Sequence, residues 1–98
     1  MTFKLKFSRE AKSVLGDLEG QRQYEKKLRK VRRTLARIED NPRHPGLNSH
    51  KYSSLSGPNG EEVWDSYVEN RTSGAWRIFW HYGPDQGVIT ILTIGPHP

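Results

Sequence analysis

Residues 75–82 read Ala75-Trp76-Arg77-Ile78-Phe79-Trp80-His81-Tyr82. Aromatic and β-branched side chains dominate, with no glycine or proline, so the stretch predicts a β-strand. Alternation places Trp76, Ile78 and Trp80 on one face and Arg77, Phe79 and His81 on the other, and the wholly apolar set is the better core face. Working outward, residues 63–68 and 88–94 carry the same composition. The segments between them, 70–74 and 83–87, hold the Gly, Pro, Asn, Asp and Ser residues that hairpin connections need. The three strands therefore predict an antiparallel meander, and residues 50–55 are a further candidate strand.

The N-terminal half has a different periodicity. Residues 2–7 alternate Phe3, Leu5 and Phe7 with Lys4 and Lys6, as a half-buried or edge strand does. Ser8 is an N-cap candidate for a short helix whose stripe is Ala11, Val14, Leu15 and Leu18, with Gly20 as the stop. From 21 to 39, Tyr24, Leu28, Val31, Leu35 and Ile38 are spaced by fours and threes, and Asn41-Pro42 ends this second helix. The expected architecture is an α+β domain: an N-terminal strand, a helical hairpin, then an antiparallel β-meander, with the helices packed on one sheet face and the other face open.

Ninety-eight residues form one domain, spanning 1–98, because two cores cannot be built from so short a chain. No apolar run approaches the roughly 20 residues of a membrane span, so no membrane partner is expected and the location is expected to be cytoplasmic. Cysteine is absent, which removes disulfides, thiolate nucleophiles and most structural zinc sites. The net charge of +5 is uneven. Residues 1–49 hold 13 Lys and Arg against 6 Asp and Glu, whereas residues 50–98 hold 3 against 5.

Most of the basic surplus lies on the second helix, where Lys26, Lys27, Arg29, Lys30, Arg33 and Arg37 fall outside the apolar stripe. Such a face is either simply solvated or a docking surface for RNA or an acidic protein. His44, His50, His81 and His97 are the candidates for proton transfer near neutrality. They form no metal motif, and no metal or other cofactor is expected. His97 follows Gly95-Pro96 at the rim of the last strand. Arg77 interrupts an apolar strand and needs an anion, either substrate or a structural partner such as Asp65 or Glu69.

Five segments in order resemble the RelE/ParE superfamily of bacterial type II toxin–antitoxin systems. They are Phe7-Ser8-Arg9-Glu10-Ala11, residues 41–47 (Asn-Pro-Arg-His-Pro-Gly-Leu), His50-Lys51-Tyr52 followed by Leu55-Ser56-Gly57, Trp76-Arg77-Ile78-Phe79-Trp80, and Ile94-Gly95-Pro96-His97. The resemblance implies a toxin that cleaves mRNA on the ribosome without a metal and is neutralised by an acidic antitoxin. It implies that His97 and His50 act as acid or base and Arg77 holds phosphate. Lys51, Arg71, Tyr67, Asp65 and His81 are then expected to bind substrate, and the basic second helix to dock RNA or antitoxin. A ParE-like toxin acting on DNA gyrase without nuclease activity, or a non-catalytic interaction module, is the alternative.

Overall fold

The computed structural model describes residues 2–97. Strand β1 (Lys4–Phe7) leads into α1 (Arg9–Glu19), and a 3-10 turn at Arg22–Tyr24 leads into α2 (Glu25–Asp40). A second 3-10 turn, Pro45–Leu47, precedes β2 (His50–Ser56), β3 (Glu62–Tyr67), β4 (Trp76–Tyr82) and β5 (Val88–Pro96). The five strands form one sheet in the order β1-β5-β4-β3-β2. The meander is antiparallel as expected, and β1 adds to β5 in parallel, so the first strand closes the edge beside the last.

Trp76, Ile78 and Trp80 face the helices. Ile78 and Trp80 join Ile89, Ile91 and Ile94 in a core with Ala11, Leu18, Val31, Leu35 and Ile38, against which Trp76 packs. Full burial of an aliphatic side chain such as Ile38 or Ile78 contributes about 1.5–3 kcal/mol, and this face is where the fold gains most of its stability. Tyr24 does not belong to the stripe. The 3-10 turn advances 120° per residue rather than 100°, which rotates Tyr24 out of phase with Leu28 and leaves it exposed.

The opposite face is not open, contrary to expectation. Asp65, Phe79 and His81 are all buried there. The β2–β3 hairpin curls over it, bringing the Glu61 carboxylate to 3.9 Å from His81 Nδ1 and the Tyr52 ring to 5.1 Å from Phe79.

Several hydrogen bonds fix how the layers meet. Ser8 caps α1 by accepting from the Ala11 N–H, and its hydroxyl also donates to the Leu92 carbonyl. Leu92 is an extra residue in β5: Phe79 pairs with Thr93 and Trp80 with Ile91, leaving Leu92 opposite neither. Thr34 on α2 donates to the Tyr67 carbonyl at the end of β3. Ser66, fully buried, accepts from Trp80 Nε1 at 2.8 Å and shares a 2.7 Å hydrogen bond with Ser49. No helix among the described residues is long and apolar enough to cross a membrane.

Candidate functional site

Cross-strand pairing assembles a polar cluster on the sheet face away from the helices. His50 pairs with Asp65, Asp65 with Phe79, Phe79 with Thr93, Tyr67 with Arg77, and Arg77 with Gly95. Directly opposed residues share a face, so the side chains of three central strands converge. His97, just beyond β5, reaches the same place: its Nε2 lies 3.7 Å from Asp65 Oδ2. Residues separated by half the chain thus meet around one carboxylate.

Asp65 is 5% exposed and has Arg77 on its other side, with Nε 3.8 Å from Oδ1. Burial pushes its carboxyl above the ordinary range, and the positive ends of His97, Arg77 and His50 oppose that rise without cancelling it. The Arg77 guanidinium lies flat on Tyr67, its central carbon 3.6 Å from the ring centroid, and Nη1 donates to the Glu69 carbonyl at 3.1 Å. Its Nε is buried and has no hydrogen-bond partner among the described residues. The group is therefore held in place with donor capacity left over.

Aromatic rings enclose the two histidines. The His50 ring is 6.1 Å from Tyr67, and the His97 ring meets Tyr52 edge-on at 5.4 Å and Phe79 at 6.2 Å. The His97 side chain remains 42% exposed. A partly exposed imidazole on an apolar shelf, a buried carboxylate behind it and a fixed guanidinium beside it are the kinds of group that proton transfer and anion stabilisation require.

Of the residues expected from sequence, His97, Arg77, His50, Asp65 and Tyr67 come together. Lys51 does not. It is one residue from His50 on the same strand, so its side chain leaves on the other face, where it pairs with Glu62 and lies 5.8 Å from the Trp64 ring. His81 is only 1% exposed, with Nδ1 2.8 Å from the Tyr82 carbonyl and Glu61 beyond it, so it is enclosed by protein and inaccessible to a substrate. Arg71 sits exposed in the 70–74 turn, in the left-handed region at φ 61.

The basic face of α2 is only partly free. Lys27 donates to Glu69 at 2.7 Å and covers Trp76 at 4.7 Å, and Lys30 lies 3.5 Å from the same carboxylate. Burial pushes the Glu69 carboxyl up, but the Lys27 hydrogen bond, the Trp76 N–H and the charges of Lys27 and Lys30 outweigh it and hold the carboxyl below the usual range. Lys26, Arg29, Arg33 and Arg37 are exposed. Among the described residues, no group of three or more His, Cys, Asp or Glu is placed to hold a metal ion.

Sequence reasoning missed Tyr52 and Phe79. Both were visible in the alternation, Tyr52 two residues from His50 and Phe79 two from Arg77. Glu69 was considered only as a partner for Arg77, which it serves through its main-chain carbonyl while its carboxylate holds Lys27.

No protein-family model matches the chain, and no curated protein sequence matches it. Solved structures do. The archaeal RelE–RelB complex of Pyrococcus horikoshii OT3 contains a chain 16% identical, matched over 98% of this chain and 96% of that one, with a TM-score of 0.66. A YoeB/ParE toxin from Agrobacterium tumefaciens is 9% identical over 97% and 99% of the two chains, with a TM-score of 0.70. The YoeB dimer of Staphylococcus aureus is 16% identical over the whole of both chains, with a TM-score of 0.65. The fold is thus the one found in RelE, YoeB and ParE-like toxins.

Proposed function

We propose that the chain is a toxin of a type II toxin–antitoxin system, acting as an endoribonuclease on mRNA and restrained by an acidic antitoxin. The observation that carries this reading is the convergence of His97, Asp65 and Arg77 on the sheet face away from the helices, with His50 alongside, in a chain with the toxin fold.

The arrangement suits cleavage by the RNA's own ribose. A base removes the 2′-OH proton, the 2′-oxygen forms a bond to the adjacent phosphorus, and the bond from phosphorus to the 5′-oxygen breaks. An acid protonates that leaving oxygen, giving a 2′,3′-cyclic phosphate and a 5′-hydroxyl. In this reading His97 serves one proton transfer and His50 the other. Asp65, 3.7 Å from Nε2, orients the His97 imidazole. Arg77, whose guanidinium plane is fixed on Tyr67, stabilises charge building on the phosphoryl oxygens. Tyr52 and Phe79 keep the His97 ring from swinging away.

The test is expression of wild type and His97→Ala in a bacterial host, reading growth and mapping transcript ends by primer extension. Wild type is expected to arrest growth and cut transcripts, and His97→Ala to lose about 10²–10⁴-fold of the cleavage rate. Growth arrest with intact transcripts and gyrase-dependent DNA breaks identifies the ParE-like alternative and refutes the nuclease reading.

A further inference from the structure

A second concavity lies on the helix side of the sheet, between the 42–50 segment and the aromatic end of β3 and β4. Its volume is about 570 Å³, within the about 300–1,000 Å³ typical of ligand clefts. Arg43, His44, His50, Trp64, Trp80 and Tyr82 contribute to its lining, and no carboxylate does. We infer that this cleft is a binding subsite for a nucleotide of single-stranded RNA flanking the scissile bond, with the base on Tyr82 and Trp64 and the phosphate on Arg43 and His44. The inference rests on the reading of the chain as an RNA-cleaving toxin and adds a second point of contact to it.

Three observations carry the assignment. First, the aromatic floor is built beforehand. Trp64 and Trp80 stack at 6.2 Å with 22° between their planes, and Tyr82 stands on Trp80 at 5.1 Å while Phe3 supports it at 5.9 Å. Tyr82 is nevertheless 40% exposed. A large ring fixed from below and bare above offers a stacking surface with little ordering cost.

Second, the loop wall is fixed with its cationic groups outward. Ser49 is tied through Ser66 to Trp80, and His44 Nδ1 accepts from the Gly46 N–H at 2.9 Å, which leaves Nε2 as the nitrogen for a ligand. Arg43 is exposed, its N–H held by the Asn41 side chain at 3.0 Å.

Third, the cleft borders the edge strand that carries His50, on the opposite sheet face from the proposed catalytic cluster. His50 lines it and also belongs to the group around Asp65 and Tyr67. His50 stands on the edge strand β2, so an RNA strand that reaches both sites crosses the sheet edge there. Beyond Tyr82 a neighbouring concavity of about 640 Å³ shares Pro42, Arg43 and Tyr82 and adds the Asp40 carboxylate, so the track continues as a surface whose far end does not favour a phosphate. Aromatic faces beside cations and an extended track suit a nucleic acid strand better than a compact anion.

The probe is a fluorescein-labelled single-stranded RNA nonamer, 2′-O-methylated throughout so that the attacking hydroxyl is blocked, with binding read by anisotropy. Tyr82→Leu is expected to weaken binding about 5-fold or more and Tyr82→Phe to retain it. Arg43→Gln, at an exposed site, is expected to reduce the slope of log affinity against log salt by about 0.7. Absence of binding by wild type overturns the inference, as does unchanged binding by Tyr82→Leu. Equal competition by inorganic polyphosphate also overturns it, because charge alone then accounts for the contact. Displacement of the RNA probe by a short acidic peptide whose own binding needs Tyr82, with no loss of RNA affinity in Tyr82→Leu, makes the cleft a protein-docking groove instead. The catalytic reading fails separately: RNA binding that depends on Tyr82 without transcript cleavage removes the nuclease and keeps the cleft.

Discussion

Neutralising Glu69 isolates how the basic helix is joined to the strand that carries Arg77. Its carboxylate accepts from Lys27 at 2.7 Å and from the Trp76 N–H at 3.2 Å, and Lys30 lies 3.5 Å away. Glu69→Gln keeps an acceptor for the amide but removes the charge. Exposed ion pairs contribute about 0.2–1 kcal/mol, and hydrogen bonds to charged groups about 1.5–3 kcal/mol. With the Lys27 and Glu69 side chains 25% and 16% exposed, the pair lies between those limits, and loss of the charge is expected to cost about 1–1.5 kcal/mol at pH 7. For a domain of this size that is a fall in Tm of about 4–12 °C. The pH dependence gives the sharper check. Glu69 has a carboxyl pKa held below its unfolded value, so its contribution is present above the unfolded pKa and is lost as pH falls through the folded one. Urea melts of wild type and Glu69→Gln at pH 7 and at about pH 3 are expected to differ at the first and converge at the second. An equal gap at both values refutes the ion-pair account and makes the loss one of packing.

Three other outcomes are expected. Ser66→Ala leaves the buried Trp80 indole N–H without an acceptor and is expected to cost about 1–3 kcal/mol in urea unfolding, while Ser49→Ala costs less because the indole keeps Ser66. Tyr67→Leu removes the ring under the Arg77 guanidinium, and is expected to lower RNA cleavage more than it lowers Tm, whereas Tyr67→Phe preserves both. Lys27→Ala is expected to destabilise the fold, and Lys26→Ala, one residue away and exposed, to leave Tm within about 0.5 kcal/mol equivalent of wild type in thermal melts.

The elements of the fold were legible because their periodicities are strong. Alternation over residues 75–82 separated Trp76, Ile78 and Trp80 from Arg77, Phe79 and His81 and favoured the first set as core without deciding it, whereas the spacing of Val31, Leu35 and Ile38 marked the stripe of α2. Three features escaped. The start of α2 depends on the 3-10 turn that displaces Tyr24, a change of pitch with no mark in hydrophobic spacing. The parallel addition of β1 to β5 joins residues more than 80 positions apart, which local pattern does not encode. Burial of the second sheet face follows from the curl of the β2–β3 hairpin, which places Glu61 over His81.

The candidate site was half legible for the same reason. His50, Asp65, Tyr67, Arg77 and His97 are each polar or aromatic residues at strand positions that pairing brings into line. Lys51 was expected beside His50, but neighbours along a strand point to opposite faces. His81 shares a strand face with Arg77 and Phe79, yet only the hairpin's path decides which members of that face stay accessible. Lys27 looked like any other lysine on a basic helix until Glu69, 42 positions away, came into contact with it.

The extra residue in β5 has a consequence for chemistry. Side chains along a strand obey a parity rule, and up to Ile91 the odd-numbered positions Ile89 and Ile91 point to the helices. After Leu92 the parity inverts: Ile94 fills the core, and Thr93, Gly95 and His97 fall on the side of Asp65. Without the bulge, strict alternation from Ile91 would put position 97 on the helix side and send the imidazole toward the hydrophobic layer. The side on which the proposed catalytic histidine emerges is thus set by a frameshift within a single strand, one whose carbonyl is held by Ser8, near the opposite end of the chain.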